Sequence, residues 1–231
     1  MSPRKVAIVT AMELEVWPLV KNWKQSRRQF DGREFVFFEK GDTTLVCAGI
    51  GAEYARRAAE AIIQLCRPDL LVSAGFAGAL QPDWPVGRVL MPRVVIDARD
   101  NSRTETIAGE GSLVSFASVA DASQKEKLRR AYDAQAVDME AAAIGRGAMT
   151  HGIPFRVCKV ISDASDFSVP AGTEFVGPDG KFQKARFAFH VALRPWLWWS
   201  TIKIAADSLL AARKLCQSLA AFTETAASVR A

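Results

Sequence analysis

The chain alternates between short apolar runs and segments with helical periodicity. Runs rich in β-branched residues predict strands at 5–10, 34–40, 43–49, 69–75, 87–98, 111–119, 134–139 and 155–163. Apolar residues three or four positions apart predict helices at 11–23, 51–66, 123–133 and 140–152. Several of the strands are apolar on both faces, which is typical of a parallel sheet covered by helices. The pattern therefore predicts an α/β fold.

After the strand at 69–75, two glycines interrupt the apolar pattern. Gly75 and Gly78 flank residues 76–77, and glycines at this spacing predict a tight turn or a close approach of the backbone to another group. We expect the strand to end here.

The C-terminal part of the chain predicts one long helix at about 196–222. Apolar or small residues recur there at alternating spacings of three and four, at Ile202, Ala205, Leu209, Ala212, Cys216 and Leu219. We expect this stripe to pack against the domain's own sheet. The alternative is a face for a membrane surface or an apolar substrate, because aromatic and basic residues accompany it: Trp196, Trp198, Trp199, Lys203, Arg213 and Lys214.

The composition predicts a single cytoplasmic domain over residues 1–231. The chain is 49% hydrophobic, which is enough for a core, and no uncharged apolar run approaches the length of a membrane span. Its first residues lack the apolar region and cleavage site of a signal peptide. The four cysteines have neither zinc-ligand nor redox spacing, so we expect buried free thiols. Because there are two histidines, we expect neither a histidine-based metal site nor a cofactor.

The net charge of +5 does not by itself indicate a nucleic-acid partner. Basic residues occur in short, separated pairs such as Arg27 and Arg28, without interleaved aromatic residues. Solvated helix faces explain this distribution better, so we expect no nucleic acid to bind.

Acidic residues follow three of the predicted strands: Glu15, Glu140 and Asp163. Each has an ordinary explanation, because Glu15 fits a helix face, Glu140 favours a helix N-terminus, and Asp163 fits a turn or an N-cap. In open α/β sheets, however, ligands bind beyond the carboxyl ends of the strands. If the strands are parallel neighbours, the three acids converge on one pocket.

Three carboxylates without a metal-binding histidine suit proton transfer and the recognition of hydroxyl groups. A carboxylate accepts two sugar hydroxyls, a buried carboxylic acid donates a proton to a leaving group, and a third group activates water. These roles fit cleavage of a glycosidic bond through an oxocarbenium-like transition state. Gly49 and Gly51 resemble part of a dinucleotide fingerprint, but Tyr54 stands at the third glycine position, so the fingerprint is incomplete.

Five blocks of sequence follow one another within residues 5–166: AIVTAMELE, CAGIGAEYA, DLLVSAGFAGAL, AVDMEAAAIGRGA and CKVISDASD. Together they resemble the nucleoside phosphorylase/nucleosidase superfamily, and most of all its methylthioadenosine/S-adenosylhomocysteine nucleosidases. The resemblance implies a three-layer α/β/α sandwich around a mixed, largely parallel sheet, assembled as a homo-oligomer. It also implies release of the base from a purine nucleoside by N-glycosidic cleavage.

The resemblance further implies roles for individual residues. Glu15 would activate the attacking water, Glu140 would hold the ribose hydroxyls, and Asp163 would act as general acid at purine N7. The other substrate-binding positions would pack against the sugar and base or orient the acid: Phe76, Gly78, Val119, Met139 and Ser162.

Three features depart from the family pattern. Phe76 stands where the hydrolases usually have a small hydroxyl residue. Residues 98–118 are shorter than the usual segment and lack a helix and a loop that help to enclose the substrate. No base-stacking aromatic residue occurs near Ser118. These departures motivate an alternative of another class, a nucleoside-binding protein without turnover.

Residues 176–199 are similar to the hopanoid-associated phosphorylases of this superfamily, which are implicated in removing adenine from an adenosylated hopanoid. This second alternative requires phosphate as co-substrate. Phosphate needs cationic or amide donors, whereas Arg56 and Arg57 lie on a helix that we expect to face solvent. Because Glu15 would also repel phosphate, we favour hydrolysis.

Overall fold

A computed structural model describes residues 5–167, residue 177 and a helix at 198–228. The side chains of that helix are described from residue 204 to residue 221. The segment at 176–199 that resembles hopanoid-associated phosphorylases lies outside the described residues, except for Gly177 and the helix start. The side chains of the three tryptophans at 196, 198 and 199 also lie outside them.

The helices and strands follow the predicted alternation along the chain. The strands are β1 (Val6–Thr10), β2 (Lys24–Phe30), β3 (Arg33–Lys40), β4 (Thr43–Cys47), β5 (Leu70–Ala79), β6 (Val89–Leu90), β7 (Val94–Asp97), β8 (Arg103–Glu105), β9 (Ser112–Ser115), β10 (Ala136–Asp138) and β11 (Phe155–Asp163). The helices are α1 (Glu13–Val20), α2 (Ala52–Cys66), α3 (Ala122–Tyr132), α4 (Ala141–Thr150) and α5 (Trp198–Ser228).

In the described part of the chain, all the strands join one mixed sheet. Its main path is β2-β3-β4-β1-β5-β10-β9-β7-β8, and β11 pairs with β5 and β6. β5 is parallel to β1 and β11 but antiparallel to β10. The mixed sheet implied by the resemblance is confirmed, but it is less parallel than expected, because five of the ten described strand pairings are antiparallel. β10 and β11 lie on opposite edges of β5, because both pair with Gly78.

Alternating residues of β1 show how helices cover both faces of the sheet. Val6 and Ile8 pack in an apolar cluster with residues of α1 and α5. Ala7 and Val9 pack in a second cluster with residues of α2 and α4. A third cluster joins α3 to β7, β9 and β10. The strands are apolar on both faces because each face is buried, which confirms the layered α/β architecture.

The structure corrects the strand predictions at three places. β5 does not end at Gly75, because residues 76–79 continue to pair with β11 and β10. β2 was not predicted, because this edge strand pairs with β3 alone and its polar side chains reach solvent without an apolar signal. β8 was not predicted either, since three residues are too few for a periodic pattern.

The helix α5 begins and ends later than predicted, and its buried face differs from the predicted stripe. Ala212, Cys216 and Leu219 are buried as expected, whereas Ala205 is exposed and Leu209 is 56% exposed. Ala211 and Leu215 complete the buried face instead, in the cluster with α1. In the described residues, no helix is long and apolar enough to cross a membrane.

Candidate active site

A cavity of about 240 Å³ lies where the carboxyl ends of β1, β5 and β11 meet the start of α4. All eight residues predicted for the site line it: Glu15, Phe76, Gly78, Val119, Met139, Glu140, Ser162 and Asp163. The three acids therefore converge, although the expectation of parallel neighbours was wrong for one strand. β10 runs antiparallel to β5 and pairs with its last residues, so the β10–α4 junction still reaches the cavity.

Glu15 is a buried carboxylate, 2% exposed, in the first turn of α1. Its Oε2 accepts hydrogen bonds from the Thr10 hydroxyl at 2.5 Å and from the Met12 N–H at 2.9 Å. Its Oε1 accepts a hydrogen bond from the Phe76 N–H at 3.1 Å. The Met12 contact caps α1, so Glu15 combines the helix-terminal role with a position in the cavity wall.

The backbone of β5 approaches Glu15 closely at Gly75 and Phe76. Gly75 has φ of +145°, and a Cβ there would lie 3.1 Å from the Glu15 Oε1. A side chain at this position would therefore strain the backbone and crowd the carboxylate. Phe76 contacts Glu15 through its backbone N–H, so this contact does not depend on which side chain stands there.

Glu140 is buried at the junction of β10 and α4. Its Oε1 accepts a hydrogen bond from the Gly51 N–H at 2.8 Å, and its Oε2 accepts one from the Met139 N–H at 3.3 Å. Gly51 immediately precedes α2, so the glycine turn that resembles a nucleotide fingerprint binds this carboxylate. Burial raises the pKa of Glu140 to about 7, although the nearby Lys159 ammonium opposes the rise.

Asp138, two residues earlier, forms a buried ion pair. Its Oδ2 lies 2.9 Å from the Lys159 Nζ and accepts the Ala141 N–H at 2.8 Å, while its Oδ1 accepts the Ser115 hydroxyl at 2.5 Å. Burial disfavours the charge of Lys159, yet the carboxylates of Asp138 and Glu140 raise its pKa. Asp138 thus supplies the helix-terminal contact that the sequence suggested for Glu140.

Asp163 lies at the end of β11, with its side chain 18% exposed. Its Oδ1 accepts the Ser162 hydroxyl at 2.7 Å, and its Oδ2 accepts a hydrogen bond from the Lys125 ammonium. A Cβ at Gly78 would lie 2.9 Å from the Asp163 Oδ2 and 3.1 Å from the Lys125 Cε. The close backbone approach predicted at Gly78 is therefore an approach to this ion pair.

Lys125 of α3 is a residue of the cavity wall that the sequence analysis missed. The segment 123–133 is the predicted helix and is rich in charged residues, but the Lys125 side chain is only 2% exposed. Besides Asp163, its Nζ donates to the carbonyl oxygens of Ala164 at 2.7 Å and Phe167 at 2.8 Å. The available signal was its spacing from Leu128, because residues three apart share a helix face and Leu128 is buried.

The model of the Phosphorylase superfamily matches residues 5–123, more than half of the chain. The chain belongs to the Phosphorylase superfamily. The 5′-methylthioadenosine/S-adenosylhomocysteine nucleosidase of Haemophilus influenzae (strain PittEE) is 25% identical over 200 residues, covering 70% of this chain and 87% of that protein.

Solved structures of this fold superpose over nearly the whole chain. The Helicobacter pylori 5′-methylthioadenosine/S-adenosylhomocysteine nucleosidase has a TM-score of 0.73 at 17% identity, covering 97% of this chain and 100% of its own. The Helicobacter pylori futalosine hydrolase has a TM-score of 0.72 at 16% identity, covering 96% and 98% of the two chains. These superpositions confirm the fold expected for the superfamily.

Two further parts of the cavity wall in this superfamily member escaped the sequence analysis. Phe167 lines the cavity four residues after Asp163, where no periodic pattern marks it. It is an aromatic residue of the cavity wall in addition to Phe76. α5 contributes Ile204, Asp207 and Ser208 from one face of the helix. The shortened segment 98–118 contains β8 and β9 and no helix, as its length predicted.

The described residues include no group of three or more His, Cys, Asp or Glu side chains that could hold a metal ion. Cys158 and Cys216 are buried free thiols, as expected, whereas Cys47 and Cys66 are free thiols that are only partly buried. Burial raises the pKa of Cys158 to about 12, so this thiol stays protonated at neutral pH.

Proposed function

We propose that this protein hydrolyses the N-glycosidic bond of an adenine nucleoside of the methylthioadenosine/S-adenosylhomocysteine type. The observation that carries the proposal is the convergence of Glu15, Glu140 and Asp163 on one cavity. The relatives named 5′-methylthioadenosine/S-adenosylhomocysteine nucleosidase support the substrate class.

The three carboxylates divide the reaction between them. Glu140 accepts hydrogen bonds from the ribose hydroxyls, with Met139 packed against the sugar. The glycosidic bond breaks toward the base, which receives a proton at N7 from Asp163, while positive charge develops on the ribosyl carbon. Water attacks that carbon and transfers a proton to Glu15. Ser162 holds Asp163 in position through its 2.7 Å hydrogen bond.

We place the base next to Asp163, between the residues of the cavity wall that surround this carboxyl. Gly78 contributes its backbone there, because a side chain would collide with the Asp163 carboxylate and with Lys125. Phe167 is adjacent through the contact of its carbonyl oxygen with Lys125, and Val119 lies in the segment that leads into α3. Together they provide a mainly apolar surface for a flat purine ring.

The charges of the cavity favour water over phosphate as the nucleophile. Among the described residues that line it, Lys125 is the cation, and its ammonium already donates to Asp163 and two carbonyl oxygens. Phosphate would need other cationic or amide donors. Arg56 and Arg57 do not supply them, because both pair with Glu53 at the exposed start of α2.

An apolar surface lies next to the position that we propose for the sugar. Ile50 precedes the glycine that contacts Glu140, and Met12 donates its N–H to Glu15. Both line the cavity together with Ile204 of α5. We therefore propose an apolar 5′ substituent such as methylthio. Because α5 forms part of this wall, a larger apolar group, as in adenosylhopane, is the second candidate.

The test is chromatography of free base released from methylthioadenosine, S-adenosylhomocysteine, adenosine, inosine and an adenosine with a long apolar 5′ group, with and without phosphate. We expect adenine release that does not require phosphate. Asp163→Asn and Glu140→Gln should each slow it by roughly 100-fold or more, since each removes a group that acts in the transition state. Glu126→Gln is the control and should keep the wild-type rate, because Glu126 pairs with Arg129 and does not line the cavity.

Other outcomes would assign a different function. Release that requires phosphate would indicate a phosphorylase, and nucleoside binding without release would indicate the inactive nucleoside-binding alternative. Near wild-type rates in both Asp163→Asn and Glu140→Gln would contradict the site assignment. Circular dichroism and thermal unfolding of each variant separate a loss of activity from a loss of fold.

We extend the proposal to the setting of the enzyme: a single-domain homo-oligomer in the cytoplasm that needs no cofactor. The resemblance of the sequence blocks to the superfamily supports the assembly. Light scattering from the purified full chain measures its mass directly.

A further inference from the structure

Lys125 and Asp163 form an ion pair whose two members differ in their access to the cavity. The Asp163 side chain is 18% exposed, whereas Lys125 is 2% exposed and lies behind it. The Lys125 ammonium has three N–H groups, and they have three acceptors: the Asp163 carboxylate and the carbonyl oxygens of Ala164 and Phe167. A ligand in the cavity can therefore touch Asp163 while Lys125 remains covered.

The position of the proton in this pair matters for the reaction. The contact joins an ammonium to a carboxylate, so the proton of this ion pair lies on the Lys125 nitrogen and Asp163 is the acceptor. From β5 and β10, uncharged Gly78 and Val137 lie at the pair. The other titratable groups that line the cavity in the described part of the chain are acids: Glu15, Asp138, Glu140 and Asp207. From β11, the charged neighbour is Asp163 itself.

An ionised Asp163 has no proton of its own for a leaving base. We propose that Lys125 is the proton reservoir of the reaction and acts through Asp163 as a positioning residue; this rests on the proposed hydrolysis. As the glycosidic bond breaks, its electron pair goes to the base, Asp163 delivers a proton to the base, and a proton moves from the Lys125 ammonium to Asp163. The proton from water goes to Glu15. Lys125 then takes up a proton from solvent and Glu15 releases one to solvent, which restores the starting state.

The backbone around the pair supports this arrangement. Gly78 passes so close that an added Cβ would contact both the Asp163 carboxylate and the Lys125 side chain. Ser162 holds the other carboxylate oxygen at 2.7 Å. Asp163 is therefore held by Ser162 at one carboxylate oxygen and by Lys125 at the other, at the wall of the cavity.

The first test is the pH profile of base release in three proteins: wild type, Lys125→Met and Lys125→Arg. Lys125→Met should lose roughly 100-fold at pH 8 and regain activity toward pH 5, because Asp163 must then take its proton from solvent. Lys125→Arg should stay low at every pH, because arginine keeps the charge but does not release a proton. Lys127→Met, an exposed site on the same helix, should keep the wild-type profile.

The second test uses p-nitrophenyl riboside, whose leaving group departs without a proton. Wild type and both Lys125 variants should cleave it at rates within about threefold of each other, since a proton donor contributes little when the leaving group is a stable anion. A purely structural role of Lys125 predicts a different result, in which both substrates lose rate together and the pH profile keeps its shape. That result would overturn the proposal, as would full activity of Lys125→Met on nucleosides.

The ligand-free protein provides a test that does not depend on turnover. The ¹³C resonance of the Asp163 carboxyl should titrate at a higher pH in Lys125→Met than in wild type, because the variant has lost the ammonium that pairs with this carboxylate. Identical behaviour in both proteins would overturn the proposal even if no nucleoside is cleaved. If wild type cleaves no nucleoside but the resonances differ as expected, the proposed hydrolysis is wrong. The assignment of the proton of this ion pair to Lys125 is then still supported. If Lys125→Met does not fold, Lys125→Arg with both substrates decides the case.

Discussion

Asp138 and Glu140 lie two positions apart, yet their surroundings separate a structural acid from a functional one. Asp138 contacts a cation, a hydroxyl and the first N–H of α4. The hydrogen bonds of Glu140 come from the N–H groups of Gly51 and Met139. A buried carboxylate without a direct ion pair costs stability in the ligand-free protein, which is typical of residues kept for binding.

The raised pKa of Glu140 predicts a stability difference that depends on pH. Because its pKa is about 7 in the folded protein and near the ordinary value of 4.5 when unfolded, its contribution to the free energy of unfolding falls as the pH rises from 5 to 8. Glu140→Gln does not titrate and avoids this loss. We expect it to match wild type at pH 5 and to be more stable by about 1–3 kcal/mol at pH 8.

Urea unfolding at both pH values measures this difference, and Glu53→Gln serves as the control. Hydrogen bonds from Arg56 and Arg57 lower the pKa of Glu53 to about 2, so it stays ionised throughout the range. Its difference from wild type should therefore be the same at pH 5 and pH 8. If the difference in the free energy of unfolding between Glu140→Gln and wild type is also the same at pH 5 and pH 8, the raised pKa of Glu140 is contradicted.

At the scale of secondary structure, α5 shows how a correct helix prediction can still misplace the buried face. Its apolar residues are numerous enough to support more than one stripe, and α1 and β11 select the stripe that is buried. β2 shows the opposite case, since a polar edge strand forms through its pairing with β3 without an apolar pattern of its own.

The buried face of α5 predicts different costs for two leucines. Leu215 is fully buried in the cluster with α1, whereas Leu209 is 56% exposed. Leu215→Ala should lower the free energy of unfolding by about 2–5 kcal/mol, because it leaves a cavity. Leu209→Ala should change it by less than about 0.5 kcal/mol. Urea denaturation measures both, and equal losses would contradict the assigned face.

At the scale of the whole molecule, the ion pair of Asp138 and Lys159 connects strands on opposite edges of β5. Asp138 ends β10 and Lys159 lies in β11, and both side chains are buried. Since both strands lead into the cavity, this pair joins the parts of the sheet that carry Glu140 and Asp163.

Removal of the cation from this pair should be costly. Lys159→Met leaves the Asp138 carboxylate buried without a counter-ion and should lower the free energy of unfolding by about 3–5 kcal/mol. The double variant Asp138→Asn/Lys159→Met should lose less than the sum of the single changes, because neither charge remains.

Arg27→Met is the control for an exposed ion pair. It removes the pair of Arg27 with Glu34 and should cost at most about 1 kcal/mol. Urea denaturation compares wild type with Lys159→Met, Asp138→Asn, the double variant and Arg27→Met, and additive losses would contradict the coupling.

The sequence by itself determined the order and type of most elements and the residues of the three acids, because apolar periodicity and glycine positions are local signals. Only the tertiary structure decided the partners of those acids. Glu15 meets a residue 61 positions away, Glu140 one 89 away, and Asp163 one 38 away. Lys159 and Phe167 carry no local mark of their position, and the spacing of Lys125 from Leu128 marks a helix face but not its partners, because burial and charge environment depend on neighbours that the fold brings together.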